Sequence, residues 1–332
     1  MANRPQQFFF MIAFLTCIFV AVSCNNHSGA LESNKNTPIS PSPNTTHWVA
    51  GQSISPYDLL AVDFVDGKTG WAVGDISPEG GSLLRTTDGG TSWQVIYKTT
   101  EVFSAIQFIT ATRGWMAGFA GRIESTTDGG FTWNTQRLER EGEVLNSLCF
   151  IDAERGFAAG GHGLVLRTTD GGKTWEQIAT GRVEDFWAMR FASPERGIIV
   201  GEDGVILATT DGGKTWTQKK SGTTKALLGL AITAEGLSIA VGEGGTILRS
   251  ENGADWALNN SGTNEMLSAV AAADNSILWA VGARGTTLHS TDGGKNWTAI
   301  APVSLRPLLA IDLTSAAQGV AVGRRGAIQK LE

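Results

Sequence analysis

Seven apolar segments ending in glycine, an Asp-Gly hairpin signal between them, and a tryptophan closing most of those hairpins predict an all-β chain. The architecture they imply is a seven-bladed β-propeller of four-stranded blades. The glycine-ended segments are Trp71-Ala72-Val73-Gly74, Trp115-Met116-Ala117-Gly118, Phe157-Ala158-Ala159-Gly160, Ile198-Ile199-Val200-Gly201, Ile239-Ala240-Val241-Gly242, Trp279-Ala280-Val281-Gly282 and Val320-Ala321-Val322-Gly323. Their glycines are separated by 44, 42, 41, 41, 40 and 41 residues. In each unit a first apolar strand precedes this segment, as in 59–64, 103–108, 186–191 and 308–313. One position of it is always small: Ala61, Ala105, Ser147, Ala188, Gly229, Ala269 or Ala310. A strand apolar on both faces is buried on both, and a small residue lets neighbouring sheets approach, as they must near a propeller axis. The glycine-ended segment is the second strand, a third follows a short turn, and the fourth begins at a tryptophan: Trp93, Trp133, Trp175, Trp216, Trp256 or Trp297.

Between third and fourth strands lies Thr-Thr-Asp-Gly-Gly-x-Thr-Trp or a close relative. Asp88, Asp128, Asp170, Asp211 and Asp292 hold one position, and Asn252 replaces them in the fifth unit, which is one residue shorter and predicts an altered turn. Glycine accepts positive φ and aspartate bonds the turn's own amides, so this is a hairpin signal. The motif resembles the Asp-box of sialidase-type propellers, where the aspartate is structural. The period also fits WD40 repeats, but no Gly-His and Trp-Asp pairs stand at the repeat ends. The last unit stops after its third strand, whereas Thr46-His47-Trp48-Val49-Ala50 reads as a fourth strand without its blade. The N-terminal strand is therefore expected to close blade seven and remove an exposed edge, at a non-local seam that should open first.

The domain plan has three parts: a signal peptide over 1–23, a lipidated Cys24 with a flexible tether over 24–45, and the propeller over 46–332. Arg4 supplies a positive start, and 8–22 is an apolar run too short for a membrane span but suited to an export signal. Ala21-Val22-Ser23-Cys24 resembles the lipobox of bacterial lipoproteins, with Ala21 where leucine is usual. The polar stretch that follows lacks the apolar groups a core needs. The expected protein is exported and membrane-anchored, on a periplasmic, thylakoid-lumen or cell-surface side. Glycine, at 42 residues, is about twice average usage and fits many tight turns. A net charge of -6 gives no warrant for a nucleic-acid partner.

Enzymatic readings find little support. His162 and His289 stand apart from one another and from any cysteine or acidic spacing that suggests a metal, and no cofactor is expected. Cys149, between Leu148 and Phe150, reads as a buried structural residue rather than a nucleophile. A sialidase-like hydrolase needs a tyrosine nucleophile and three arginines near the axis. Tyr57 lies at a connection, but only Arg190 falls in a first strand. Asp63, Gln107, Arg190 and Asp312 recur at one inner-strand position and read as a buried polar network.

The second-to-third-strand turns share one rim with the blade-to-blade links. Glu202-Asp203 and Glu243-Gly244 make that rim acidic at blades four and five. Ala283-Arg284 and Arg324-Arg325 make it basic at blades six and seven, with Arg306 in the link between them. Arg137, Arg140, Arg182, Lys219, Lys220 and Lys225 lie in other links. Arginine presents a planar donor fork that suits carboxylates, so Arg284, Arg306, Arg324 and Arg325 are the candidate partner-binding residues.

Export signal, lipobox and seven such units together resemble the photosystem II stability and assembly factor family, over Thr46 to Glu332. The final blade, Gln318-Gly319-Val320-Ala321-Val322-Gly323-Arg324-Arg325-Gly326-Ala327-Ile328, looks particularly similar. The resemblance implies a non-enzymatic, monomeric propeller. It also implies that an arginine-rich surface binds the D1 reaction-centre subunit during assembly. A general cell-envelope propeller with another protein or glycan ligand is the alternative, and a glycoside hydrolase the third reading.

Overall fold

A computed structural model describes residues 46–332 except 55, 78–79 and 138–141. The signal segment, Cys24, the tether, Arg140 and part of the long blade-one turn lie outside the described residues. Among those described, seven antiparallel four-stranded sheets follow one another in chain order, as the repeats predict. Their inner strands are Leu59–Phe64, Phe103–Phe108, Leu145–Phe150, Phe186–Phe191, Leu227–Ile232, Leu267–Ala272 and Leu308–Ser315. They are almost wholly buried, which is why they read as unbroken apolar runs rather than alternating ones. Each pairs with its second strand through the same irregularity, a register shift between the first and third residues, such as Leu59/Ala61 and Leu227/Gly229. The small residue that follows is a packing requirement. A Cβ placed on Gly229 would stand 2.8 Å from the Cα of Ala269 in the next blade.

The polar inner-strand residues join blade to blade. Asp63 Oδ2 accepts from the Phe108 amide at 2.6 Å. Gln107 accepts from the Phe150 amide at 2.5 Å and donates to its carbonyl at 3.0 Å. Ser147 Oγ accepts from the Met189 amide at 3.1 Å. Asp312 Oδ2 accepts from the Phe64 amide at 2.7 Å, carrying the series across the seam between last and first blades. Burial pulls the pKa of Arg190 down to about 9, opposed by the charges of Asp312 and Asp63, so the guanidinium stays ionised at neutral pH. These are buried amides given partners and a buried cation given counter-charges, a structural role.

The Asp-boxes form the opposite rim. In blade one, Asp88 Oδ1 accepts from the Ser92 amide at 2.9 Å and Oδ2 from the Ser92 hydroxyl at 2.6 Å, while Thr86 Oγ1 donates to Oδ1 at 2.8 Å. The tryptophan folds back, Trp93 Nε1 donating to the Gly90 carbonyl at 3.2 Å. The tryptophans therefore belong to the box, and the fourth strands start one residue later than the sequence suggests, at Gln94 in blade one. In the fifth box the polarity reverses. Asn252 Nδ2 donates to Asp255 Oδ2 at 2.9 Å, so the acid sits where the other boxes place a hydroxyl or amide. The deletion appears as a tighter turn: Gly253 rather than the residue after it donates to the Ser250 hydroxyl, at 2.9 Å.

Closure follows the sequence reading. Trp48–Ala50 pairs antiparallel with Ile328–Leu331 in the register Trp48 with Leu331 and Ala50 with Gln329. His47 and Glu332 exchange backbone bonds of 2.8 and 3.1 Å. Trp48 is buried and meets Trp279 edge-on, with ring centroids 5.6 Å apart. The ring is thus closed by chain segments from its two ends.

Candidate partner-binding rim

The turns between second and third strands are short and share one construction. In blades three to seven each is a three-residue 3-10 turn, for example Ala283–Gly285 and Arg324–Gly326. Its first amide bonds to the carbonyl just before the inner strand: Ala283 to Met266 at 2.8 Å and Arg324 to Pro307 at 2.9 Å. Turns and blade-to-blade links therefore occupy one face, as the sequence reading requires. The central residue is left-handed, with φ of 55° at Arg284 and 54° at Arg325. A non-glycine residue held there stores roughly 1 kcal/mol or more of strain. The following glycine is obligatory for a different reason. A Cβ on Gly285 would stand 1.9 Å from the carbonyl oxygen of Ser304. That close approach seats the blade-six turn on the link that carries Arg306.

The same link reaches the next turn. Arg306 Nη1 donates to the Arg325 carbonyl at 3.1 Å. Arg284, Arg306, Arg324 and Arg325 thus occupy one continuous stretch of rim. Two carboxylates that sequence reasoning passed over also belong to it. Asp58 accepts from the Arg325 amide at 2.9 Å through Oδ1 and lies 3.8 Å from Arg324 Nη1 through Oδ2. Glu265 lies 3.6 Å from Arg284 Nε. These ion pairs are exposed, and such pairs contribute little to folding. Four guanidinium groups facing two carboxylates leave the stretch cationic. Arg284 keeps 72 % of its side chain in solvent. Exposed apolar groups lie beside the arginines: Leu305 at 68 %, Tyr57 and Val303.

Of the other basic residues assigned to links, Lys219 is instead the last residue of the outer strand Thr217–Lys219 of blade four, and two have acidic partners. Arg137 pairs with Glu143 at 2.6 Å, and Arg182 pairs with Glu184. On the acidic side, Asp185 accepts from the His162 amide at 2.7 Å. Burial raises the Glu202 pKa against a lowering backbone hydrogen bond from Asp185, and the nearby charges of Asp185, Asp203 and Glu243 raise it further. Lys220 and Lys225, in the link between blades four and five, offset part of the charge there, so these blades carry an excess of carboxylates where blades six and seven carry an excess of guanidinium groups. Among the described residues there is no group of three His, Cys, Asp or Glu side chains placed to hold a metal ion.

The Asp-box aspartates lie away from this rim and are held by local bonds. The Asp128, Asp170 and Asp211 carboxyls are lowered to about 2, chiefly by the hydroxyls of Thr132, Thr174 and Thr215. Asp292 is lowered to about 2 by the Asn296 amide and side chain, and Asp88 is lowered by Ser92.

Fold and boxes define the class: a seven-bladed Asp-box propeller with a polarised rim. Within that class, the family described as photosynthesis system II assembly factor YCF48 matches residues 94–184. Photosystem II assembly lipoprotein Ycf48 of Synechococcus sp. (strain CC9902) is 29% identical over 89 residues, 26% of this chain and 25% of the relative, so the match spans about a quarter of the relative's length. Among solved structures, YCF48 bound to a D1 peptide superimposes with a TM-score of 0.72 at 22% identity, covering 88% of this chain and 97% of that one. YCF48 from Cyanidioschyzon merolae superimposes with a TM-score of 0.71 at 18% identity, over 86% and 98%. The resemblance to this family, read first from the repeats, is borne out.

Proposed function

We propose that the chain is a non-catalytic, extracytoplasmic assembly propeller that docks an anionic protein segment on the rim of blades six and seven. The observation that carries this reading is the continuity of Arg284, Arg306, Arg324 and Arg325 along two turns and the link joining them, with Leu305 exposed beside them. A carboxylate finds planar donors there, and a neighbouring apolar side chain finds Leu305. A solved relative holds a D1 peptide, which makes the D1 subunit of photosystem II the first partner to test. The matched relative is a lipoprotein, which supports Cys24 as the acylated residue and a membrane-anchored, extracytoplasmic position. Arg190, the arginine of an inner strand that a sialidase-like site would use, is already committed to the buried network.

Fluorescence anisotropy with a labelled D1 peptide tests the proposal. Arg324→Glu combined with Arg325→Glu should weaken binding by at least about tenfold, or 1.4 kcal/mol, with the melting temperature nearly unchanged. Glu202→Lys with Glu243→Lys, on the acidic side, should leave binding unchanged or improve it. Equal affinity of the arginine reversal and the parent would reduce the basic rim to a solvated surface.

A further inference from the structure

The seven repeats serve as controls for one another, and one interface departs from the rest. Near the Asp-box rim, each interface is filled by a second-strand side chain meeting the end of the next inner strand. Trp71 stacks on Phe108 with centroids 3.6 Å apart and planes 3° from parallel, and Trp115 stacks on Phe150 at 3.6 Å and 10°. Phe157 and Phe191 stack at 4.5 Å. Between blades four and five the corresponding pair is Ile198 and Ile232, both aliphatic; Ile239 and Ala272 between blades five and six are aliphatic too, but there Arg249 reaches across and the next box is full length.

A third-strand side chain covers several of the other interfaces. Arg85 lies over Trp71, Arg249 donates to the Gly293 carbonyl at 2.8 Å, and His289 stacks on Trp279. At this position blade four has Ala208, and the adjoining fifth box is the shortened one. Three reductions therefore coincide, and they leave a small open cleft lined by Ile198, Ala208, Ile232 and Gly253.

Charge at the cleft has one sign. Arg196 and Lys219 line it, and no aspartate or glutamate does. Arg196 spends one nitrogen on the Asn252 carbonyl at 3.0 Å. Lys219 makes no side-chain hydrogen bond or ion pair among the described residues. A lysine beside an apolar slot, with no counter-charge in the lining, favours an anion there.

We infer that the cleft between blades four and five is a small-molecule site for a planar aromatic carboxylate. The ring takes the place that stacked aromatic side chains fill in blades one to four, against Ile198, Ala208 and Ile232. The carboxylate faces Lys219 and the free edge of Arg196. The cleft runs from the fifth box to Lys219 at the end of the blade-four outer strand, away from the arginines of blades six and seven, and does not depend on their role.

The test is titration of the full chain with naphthalene-2-carboxylate, followed by calorimetry and by intrinsic tryptophan fluorescence. One equivalent should bind saturably, and neutral 2-naphthol, which keeps the ring but lacks the carboxylate, should bind at least about fivefold more weakly. Lys219→Gln should weaken the carboxylate about fivefold or more and leave 2-naphthol unaffected. Ile198→Trp, which restores the residue of blades one, two and six, should abolish binding by filling the slot. Ala208→Leu is a second filling variant should Ile198→Trp not fold. Absence of saturable binding to the parent, or equal binding to a folded filled variant, would overturn the inference.

Discussion

Closure of the ring by its N-terminal strand can be tested at one side chain. Trp48 is 6 % exposed, packs edge-on against Trp279, and sits on a three-residue strand that pairs with Ile328–Leu331. Replacing a buried tryptophan by alanine destabilises a core by about 3–5 kcal/mol. The indole Nε1 of Trp48 is buried without a hydrogen-bond partner among the described residues. Deleting an unsatisfied donor recovers roughly 1 kcal/mol, so Trp48→Ala falls near the bottom of that range, about 3 kcal/mol. Trp93, equally buried, donates to the Gly90 carbonyl, and Trp93→Ala should lie nearer the top. For a domain of this size each kcal/mol moves the melting temperature by about 2–4 °C, which gives a fall of about 6–12 °C for Trp48→Ala. Thermal denaturation by calorimetry measures this, and hydrogen exchange locates it. The amides of Ile328–Leu331 should lose protection before those of any other blade. A variant that melts within about 2 °C of the parent, with those amides still protected, would refute closure through Trp48.

Two further predictions concern the boxes and the anchor. A carboxylate whose folded pKa lies below its unfolded value stabilises the fold above that unfolded value, here 3.8, and loses the contribution as pH falls through the folded one, about 2. Thermal stability should therefore decline between about pH 4 and pH 2, and Asp211→Asn should make that decline shallower, since an amide already serves in the fifth box. An unchanged acid profile in Asp211→Asn would show that the box hydrogen bonds do not set acid stability. If Cys24 is acylated, Cys24→Ser should move the protein from the detergent phase to the aqueous phase or leave it uncleaved, because several acyl chains hold a protein firmly and none cannot. Normal processing with unchanged partitioning would exclude Cys24 as the anchor.

Repetition made most of the fold legible. A packing requirement met seven times leaves seven traces, so the small inner-strand residue, the box aspartate and the box tryptophan could each be read from register alone. The seam was legible because Trp48 keeps its box spacing even with its blade at the other end of the chain. What escaped was contact between residues far apart in sequence. Asp58 bonds the Arg325 amide across 267 residues, and nothing beside either residue announces the other. Glu265 and Arg284 meet for the same reason, through a turn whose left-handed centre could not be inferred from Ala-Arg-Gly. The cleft of blades four and five was hidden differently. Ile198, Ala208 and Ile232 are ordinary strand residues singly, and only their meeting beside a shortened box leaves space.

The central claim is that an anionic partner docks at blades six and seven, and site-specific photocrosslinking measures the location directly. A photoreactive residue at Leu305, 68 % exposed, stands beside Arg306, and one at Val183, 77 % exposed, stands at blade four on the acidic side. With a labelled D1 peptide the account predicts a crosslink from position 305 that disappears with Arg324→Glu and Arg325→Glu, and none from position 183. A crosslink from 183 alone, or equal yield from both positions, would contradict it.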